Sequence, residues 1–452
     1  SSGLLEDTTH RPFAGVYLTK MIPNNQPDPD TRFQKLVEAI KFVWASTYFK
    51  IARDYCMATS LNSCDEKMAV VIQEVVGKRY GNRFYPELAG VARSFNYYPL
   101  LPARPYDGVV NLALGLGKTI VDGGKSWIYS PAYPLMPPPF ESTQELLKET
   151  QTEFWSVNMG EPPEYNPTRE TEFLRKDNLL TAEKDGTLPY LVSTLDPQSG
   201  RMSLGMGSKG PRAVTFGPLL SLPDIPFNTL INHLLARCEA RCDCPIEIEF
   251  AMTFDPPRFG FLQVRPMVLP AGDLEISQED LKDSRTIIAS ETVLGNGECE
   301  SIEDIVYVIP DHFNLKDTKA IAAELDEHNH ILLASGRPYL LIVFGRLGTL
   351  DPWLGIPVTW GQICGARVIV EATQENVKVE LSQGSHYFHN IINLGVMHFS
   401  MPFTSPYRIN WEWLKSLNIE EEKRFTRRVR LSRGLGVKVD GRHGRGIIFL
   451  PE

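Results

Sequence analysis

The sequence predicts a two-part α+β protein. A mixed domain is expected over residues 1–270, and a separate α/β domain with a β-rich C-terminal tail over 286–452. Three observations lead there. The chain has 452 residues, and at about 150 residues per domain that leaves room for two or three cores. It is 42% hydrophobic and 22% charged, an ordinary globular composition that excludes a collagen, a mucin stalk or a wholly disordered chain. Apolar residues repeat at helical spacing in some segments and form short β-branched runs in others.

Residues 31–55 place Phe33, Leu36, Val37, Ile40, Val43 and Trp44 at helical spacing, so a long amphipathic helix is expected there. Ala69–Val76 (AVVIQEVV) reads as a buried strand. Leu88–Ala92 and Val109–Leu114 are further strand candidates. Residues 130–139 are a Pro-rich connector, and 144–190 are polar and weakly patterned, as in a lid or an insertion. Thr229–Ala240 reads as a helix with Ile231, Leu234 and Leu235 on one face. Pro245–Phe254, a Pro-rich turn at Asp255–Arg258 and Phe259–Pro266 form a hairpin signature.

The second block alternates strand and helix. Strands are expected at Ile305–Ile309, Tyr339–Phe344, Arg367–Glu371 and Val396–Phe399, with helices at Thr318–Glu327 and near Tyr387–Leu394. Phe425–Leu431, Gly436–Val439 and Gly446–Leu450 make up the tail.

With 46 Lys+Arg against 55 Asp+Glu, the formal charge is −9. That balance argues against general nucleic-acid or anionic-membrane binding. No run of about 18 apolar residues offers a membrane span. The seven cysteines are scattered and odd in number, which suggests free thiols in a reducing compartment. A cytoplasmic location is expected. Cys238, Cys242 and Cys244, with His233 nearby, lack the paired C-x2-C arms of a zinc site.

Two segments suggest phosphate chemistry. Ala113–Thr119 (ALGLGKT) contains Gly-Lys-Thr, but Leu112 stands where a phosphate-cradling loop needs its first Gly, so a glycine turn is expected. In the hairpin, Glu247 and Glu249 share one face of the first strand, and Gln263 and Arg265 share one face of the second. If both pairs project to the same side, carboxylate and amide oxygens stand beside a guanidinium. Mg²⁺ prefers such oxygens, and Arg offers a forked donor to phosphate. A polar stripe on a half-buried hairpin is the other reading.

Four motifs then carry a resemblance. Pro245–Pro266 (PIEIEFAMTFDPPRFGFLQVRP) resembles the D-I-E-[WF]-A … L-Q-x-R-P hairpin of the ATP-binding domain in the pyruvate phosphate dikinase and phosphoenolpyruvate synthase family. Ser1–Gly15 (SSGLLEDTTHRPFAG), Ala69–Val76 and Val110–Gly123 (VNLALGLGKTIVDG) resemble three more of its motifs, in the same order. The resemblance implies a partial ATP-grasp fold, two α+β lobes closing over MgATP. By position it implies Glu249 and Gln263 as Mg²⁺ ligands and Arg265 as the catalytic, phosphate-gripping residue. It likewise implies Gln73 and Glu74 at the adenine or ribose, and Gly15 and Thr19 in a phosphate-covering loop. It further implies that the domain's first lobe precedes Ser1, as an upstream partner.

Departures bear on activity. Glu247 replaces the family's Asp. Ala89–Pro99 (AGVARSFNYYP) lacks the Phe-Thr of S-G-V-x-F-T. The phosphohistidine signature and a phosphoenolpyruvate-binding barrel are also missing. Gly345–Val358 and Leu381–Asn393 resemble a region that follows such domains in large bacterial proteins. There His386 and His389 are candidate phosphoryl acceptors, and Arg346, Asp351 and Trp353 a candidate pocket.

The basic run Lys423–Arg445 either binds an anion or pairs with Glu420–Glu422. The function expected is transfer of a phosphoryl group from MgATP to a histidine or a small acceptor, with pyruvate possible. The alternative is a non-catalytic nucleotide-binding sensory or regulatory module. A third reading makes the C-terminal block a protein-interaction domain that regulates the first.

Overall fold

Residues 2–3, 15–50, 52–53, 67–97, 99, 102–136, 140, 142–207, 209–222, 225–267, 274–349, 355–375, 396–441 and 443–450 are described by a computed structural model. Helices and sheets mix in two compact units. One gathers Tyr17–Thr47 and Met68–Met267, the other Val268–Glu452.

The first unit opens on helix α1 (Pro29–Ala45). Asp28 caps it, its carboxylate accepting the Thr31 N–H at 2.8 Å, and Pro29 fits the first turn, where no N–H is needed. The helix expected over 31–55 is interrupted by a 3₁₀ turn, Ser46–Tyr48, after which Lys50, Ala52 and Arg53 are helical again. Ser46 Oγ donates to Val43 O and Thr47 Oγ1 to Trp44 O, using carbonyls that a further turn would need. Its buried stripe is also narrower than expected: Ala39, Phe42 and Val43 are inside, while Phe33 and Trp44 are exposed.

The buried strand expected over Ala69–Val76 is not there. Only Met68–Ala69 pairs, with Ser2–Gly3, and Val71 and Ile72 are exposed. β-Branched residues favour extended backbone, but a strand also needs a partner for its N–H and C=O groups. Among the described residues no strand ladder with this segment extends beyond Ala69.

Five antiparallel strands form the central sheet. They are β1 (Leu88–Arg93), β2 (Val109–Ala113), β3 (Trp127–Tyr129), β4 (Ile246–Phe254) and β5 (Pro257–Pro266), in the order β5-β4-β1-β2-β3. Alternation gives the sheet two unlike faces. Leu88, Ala92, Val110, Leu112, Ile248, Phe250 and Met252 enter one hydrophobic core with Phe227, Ile231 and Leu235 of helix α3 (Phe227–Cys242). Gly90 is part of this packing: a Cβ there would lie 2.2 Å from the Phe250 ring. The opposite face carries Val91, Arg93, Asn111, Glu247, Glu249, Gln263 and Arg265, as the cross-strand register requires.

The polar stretch 144–190 is ordered structure. Glu153–Asn158 and Leu174–Asn178 join Lys78–Tyr80 and Arg83–Tyr85 in a four-stranded antiparallel sheet. Helices Thr143–Glu149 and Leu179–Asp185 flank the two longer strands. Its weak apolar pattern follows from polar contacts inside. Arg83 forks onto Asp185, the Tyr85 hydroxyl donates to the same carboxylate at 2.8 Å, and Ser156 donates to Asp177 at 2.9 Å.

In the second unit, β6 (Gly297–Val308), β7 (Tyr339–Phe344), β8 (Ala366–Ala372) and β9 (Met397–Met401) are parallel neighbours. Helix α4 (Thr318–Ala334) makes the crossover from β6 to β7, since parallel strands cannot be joined by a tight turn. β7 is buried along its whole length, as a strand covered on both faces is. The tail has fewer breaks than expected: β10 (Thr426–Asp440) is one strand, with an extra residue in its partner β6 before Ile302 and extra residues in β10 itself between Arg430 and Leu435. β11 (Arg445–Phe449) pairs with it. The basic residues of the tail face carboxylates: Arg427 meets Glu422 at 2.8 Å, Arg428 meets Glu421 at 3.3 Å and Arg430 meets Glu303 at 3.0 Å. The helix expected near Tyr387–Leu394, with His386, His389, Asp351 and Trp353, lies outside the described residues. No described helix is long and apolar enough to cross a membrane.

Candidate functional site

The charged face of the central sheet is built by register. Glu247 stands opposite Arg265 on one side and Arg93 on the other. Glu249 stands opposite Gln263 and Val91. Opposed residues of an antiparallel ladder project to the same side, so two adjacent rows place carboxylates, an amide and guanidinium groups together. A turn of only Asp255 and Pro256 sets the hairpin register, and one bulge follows Glu249.

Within the rows, Arg265 Nη2 donates to Gln263 Oε1 at 2.9 Å. Its Nε is buried and has no hydrogen-bond partner among the described residues. Arg93 Nη2 lies 2.6 Å from Glu247 Oε2, with both side chains about 95% covered (3% and 5% exposed). Arg93 Nη1 reaches Asn111 Oδ1 at 3.3 Å, and Asn111 donates to Ser126 Oγ at 3.3 Å. A buried pair of this kind is held by Coulomb attraction and hydrogen bonds that must offset a large desolvation cost.

A glycine turn covers this face. Gly115 (φ +84) lets the chain pass against Trp155 O, which accepts the Leu116 N–H at 3.0 Å; a Cβ at Gly115 would lie 2.6 Å from that oxygen. The short helix α2 (Lys118–Val121) follows, and its Ile120 packs on Val91 and Ala113. Lys118 Nζ then meets Asp122 at 3.2 Å and Glu170 at 3.1 Å. Burial disfavours the lysine's charge, but the two carboxylates outweigh it and raise its pKa above the ordinary lysine value. Burial raises the Asp122 carboxyl against the pull of Lys118.

The remaining candidates are dispersed. Thr19 N–H donates to Glu170 Oε1 at 3.2 Å. Gln73 Nε2 donates to Leu262 O at 3.3 Å, which ties its exposed segment to β5, and Glu74 is exposed. Gly15 has φ +71, is exposed and groups with the second unit. The sheet therefore brings Glu249, Gln263 and Arg265 together, and Gln73 reaches the backbone of β5 at Leu262, next to Gln263. Arg93, Asn111 and Lys118 belong to this face and were not singled out from sequence. The available signal was an arginine in an otherwise small and apolar strand, within the segment that departs from S-G-V-x-F-T.

Glu249 offers a carboxylate and Gln263 an amide oxygen on this face, and the Gln263 oxygen accepts from Arg265 Nη2, a bond it would have to share or release to reach Mg²⁺. No cluster of three or more His, Cys, Asp or Glu occurs among the described residues. A closed, all-protein metal cage is not the geometry here.

The first unit is a mixed α+β domain with a charged face on its central sheet. Residues 1–283 match the family model of the pyruvate phosphate dikinase AMP/ATP-binding domain. The chain belongs to that family. No curated protein matches it.

Proposed function

We propose that the first unit is part of an ATP-grasp domain, and that the protein is an ATP-dependent phosphotransferase acting on a histidine or a small-molecule acceptor, with pyruvate one possibility. One observation carries this reading. The register sets Glu249 beside Gln263 and Glu247 beside Arg265 on the non-core face, and Arg265 keeps a buried, unsatisfied Nε there. Carboxylate, amide oxygen and guanidinium in adjacent rows are the groups a polyphosphate site uses.

In this reading Glu249 and Gln263 hold Mg²⁺, whose charge would offset that of the phosphates. Arg265 donates to phosphate oxygens and, through Nη2, holds the Gln263 amide with its oxygen facing the guanidinium. Arg93 neutralises Glu247, and Glu249 is the carboxylate assigned to the cation. Gly15, Thr19, Gln73 and Glu74 are proposed nucleotide contacts, and the cytoplasm is the proposed location. Catalysis is then positioning and charge neutralisation.

Titration calorimetry with MgATP tests binding, and incubation with β- and γ-labelled ATP tests transfer. Loss of Mg²⁺-dependent binding in Glu249→Ala supports the assignment. Unchanged Mg²⁺-dependent binding in that variant removes it.

The second reading is a non-catalytic nucleotide-binding module. The Arg93–Glu247 pair favours it, because it occupies the segment where the family pattern is lost. Tight MgATP binding without label transfer or hydrolysis would select it.

A further inference from the structure

The glycine turn and the 159–173 segment meet at one carboxylate. Glu170 Oε1 accepts the Thr19 N–H at 3.2 Å, and Oε2 accepts from Lys118 Nζ at 3.1 Å. The two donors come from segments 151 and 52 residues away in sequence. A backbone amide and a lysine ammonium, each bound to one oxygen of the same anion, are the donors that phosphates recruit. We infer that Thr19 N–H and Lys118 Nζ form a binding pair for the phosphate chain of a nucleotide, and that Glu170 is its internal occupant, displaced when nucleotide enters. The inference rests on the nucleotide-binding reading above.

Three features of the surroundings fit an occupant that leaves while its site remains. The Lys118 side chain is 11% exposed and the Glu170 side chain 28% exposed, so the lysine is held in place while the carboxylate has a path to solvent. Lys118 retains Asp122 at 3.2 Å when Glu170 departs, so no buried ammonium is stranded. The segment carrying Glu170 is pinned separately. Glu172 is in a buried ion pair with Lys20 at 2.7 Å and accepts the Asn166 N–H at 3.0 Å. Rotation of one side chain is then enough to open the pair. Lys20 is committed to Glu172 and to the Phe42 and Phe173 rings, which leaves Lys118 as the ammonium that faces the incoming anion. A polyphosphate carries several charges against the single charge of Glu170, so it wins the competition at a cost in affinity.

The test is calorimetric titration of the full chain with MgATP and, separately, with inorganic tripolyphosphate. Glu170→Ala should bind both about tenfold tighter than the parent, a change of about 1.4 kcal/mol. Glu170→Gln, which keeps an acceptor for Thr19 but no charge, should gain less. Lys118→Met should weaken both ligands about tenfold, and the double variant should lose the gain. Equal or weaker binding by Glu170→Ala, with unchanged melting, overturns the inference, as does a gain that persists without Lys118. If Glu170→Ala melts lower, Glu170→Gln decides the matter by the same criterion. Tripolyphosphate following this pattern while MgATP binds no tighter leaves the anion pair standing and defeats the nucleotide reading. MgATP binding that ignores Glu170 does the reverse. Absence of binding in every variant overturns both.

Discussion

Replacing Arg93 by Met keeps the aliphatic stem and removes the charge. Glu247 is then left on the sheet with its side chain 5% exposed and its 2.6 Å partner gone. Removing one member of a buried pair costs about 3–5 kcal/mol. At about 1.4 kcal/mol per decade, protection of the β1 and β4 amides should fall by roughly two to three and a half decades. Hydrogen exchange read peptide by peptide is the assay, because it separates this unit from the second, which should keep its protection. Adding Glu247→Leu should restore most of the loss, since two apolar groups need no partner. A fall of less than about tenfold in Arg93→Met would refute the reasoning. So would a double variant as unstable as the single one.

Three other outcomes are expected. Gly90→Ala should destabilise the first unit by about 1–3 kcal/mol through overpacking, because its Cβ would meet the Phe250 ring at 2.2 Å; Phe250→Leu should relieve much of this, and denaturant melts of the single and double variants check it. Arg265→Lys should weaken MgATP binding by about tenfold or more, since an ammonium cannot supply the buried Nε donor; a change within twofold by calorimetry would remove Arg265 from the phosphate site. His328 is fully buried on α4, its Nε2 within 3.0 Å of Thr426 Oγ1. Burial pulls its pKa down to about 4, against the pull of Glu421 upward. The unfolded chain therefore binds this proton near pH 6.5 and the folded chain only near 4, so stability of the second unit should drop as pH falls through that window, by up to about 3 kcal/mol. Protection of α4 and β10 at pH 7 and pH 4.5 should differ less in His328→Asn; an equal drop in both proteins would exclude the histidine as its source.

Local pattern carried far where burial is simple. β7 is apolar at every position and was legible residue for residue, and β1, β2 and the β4–β5 hairpin were visible as short apolar or alternating runs. It failed where partners decide. Ala69–Val76 has strand composition and no ladder past Ala69. Glu153–Asn158 and Leu174–Asn178 have weak composition and a full ladder, because the polar groups inside are paired. The helix expected over 31–55 is interrupted after Ala45 because the hydroxyls of Ser46 and Thr47 took the last carbonyls of α1. Period two alone put Glu247 with Glu249 and Gln263 with Arg265 on shared strand faces, and the register sets the two pairs side by side; the pairing of Arg93 with Glu247 and of Lys118 with Glu170 was not legible, since those partners lie far along the chain.

By itself, then, the sequence determined which residues alternate, which strands are apolar and which four motifs resemble a family whose model matches residues 1–283. Those are properties of neighbours within a few residues and of short motifs in order. Only the tertiary structure decided that Arg93 neutralises Glu247, that Lys118 sits between Asp122 and Glu170, and that Thr19 shares Glu170 with it. All but the local Lys118–Asp122 contact depend on chain crossings more than fifty residues apart, and the energy of a buried charge is set by what the fold places beside it rather than by the residues that flank it.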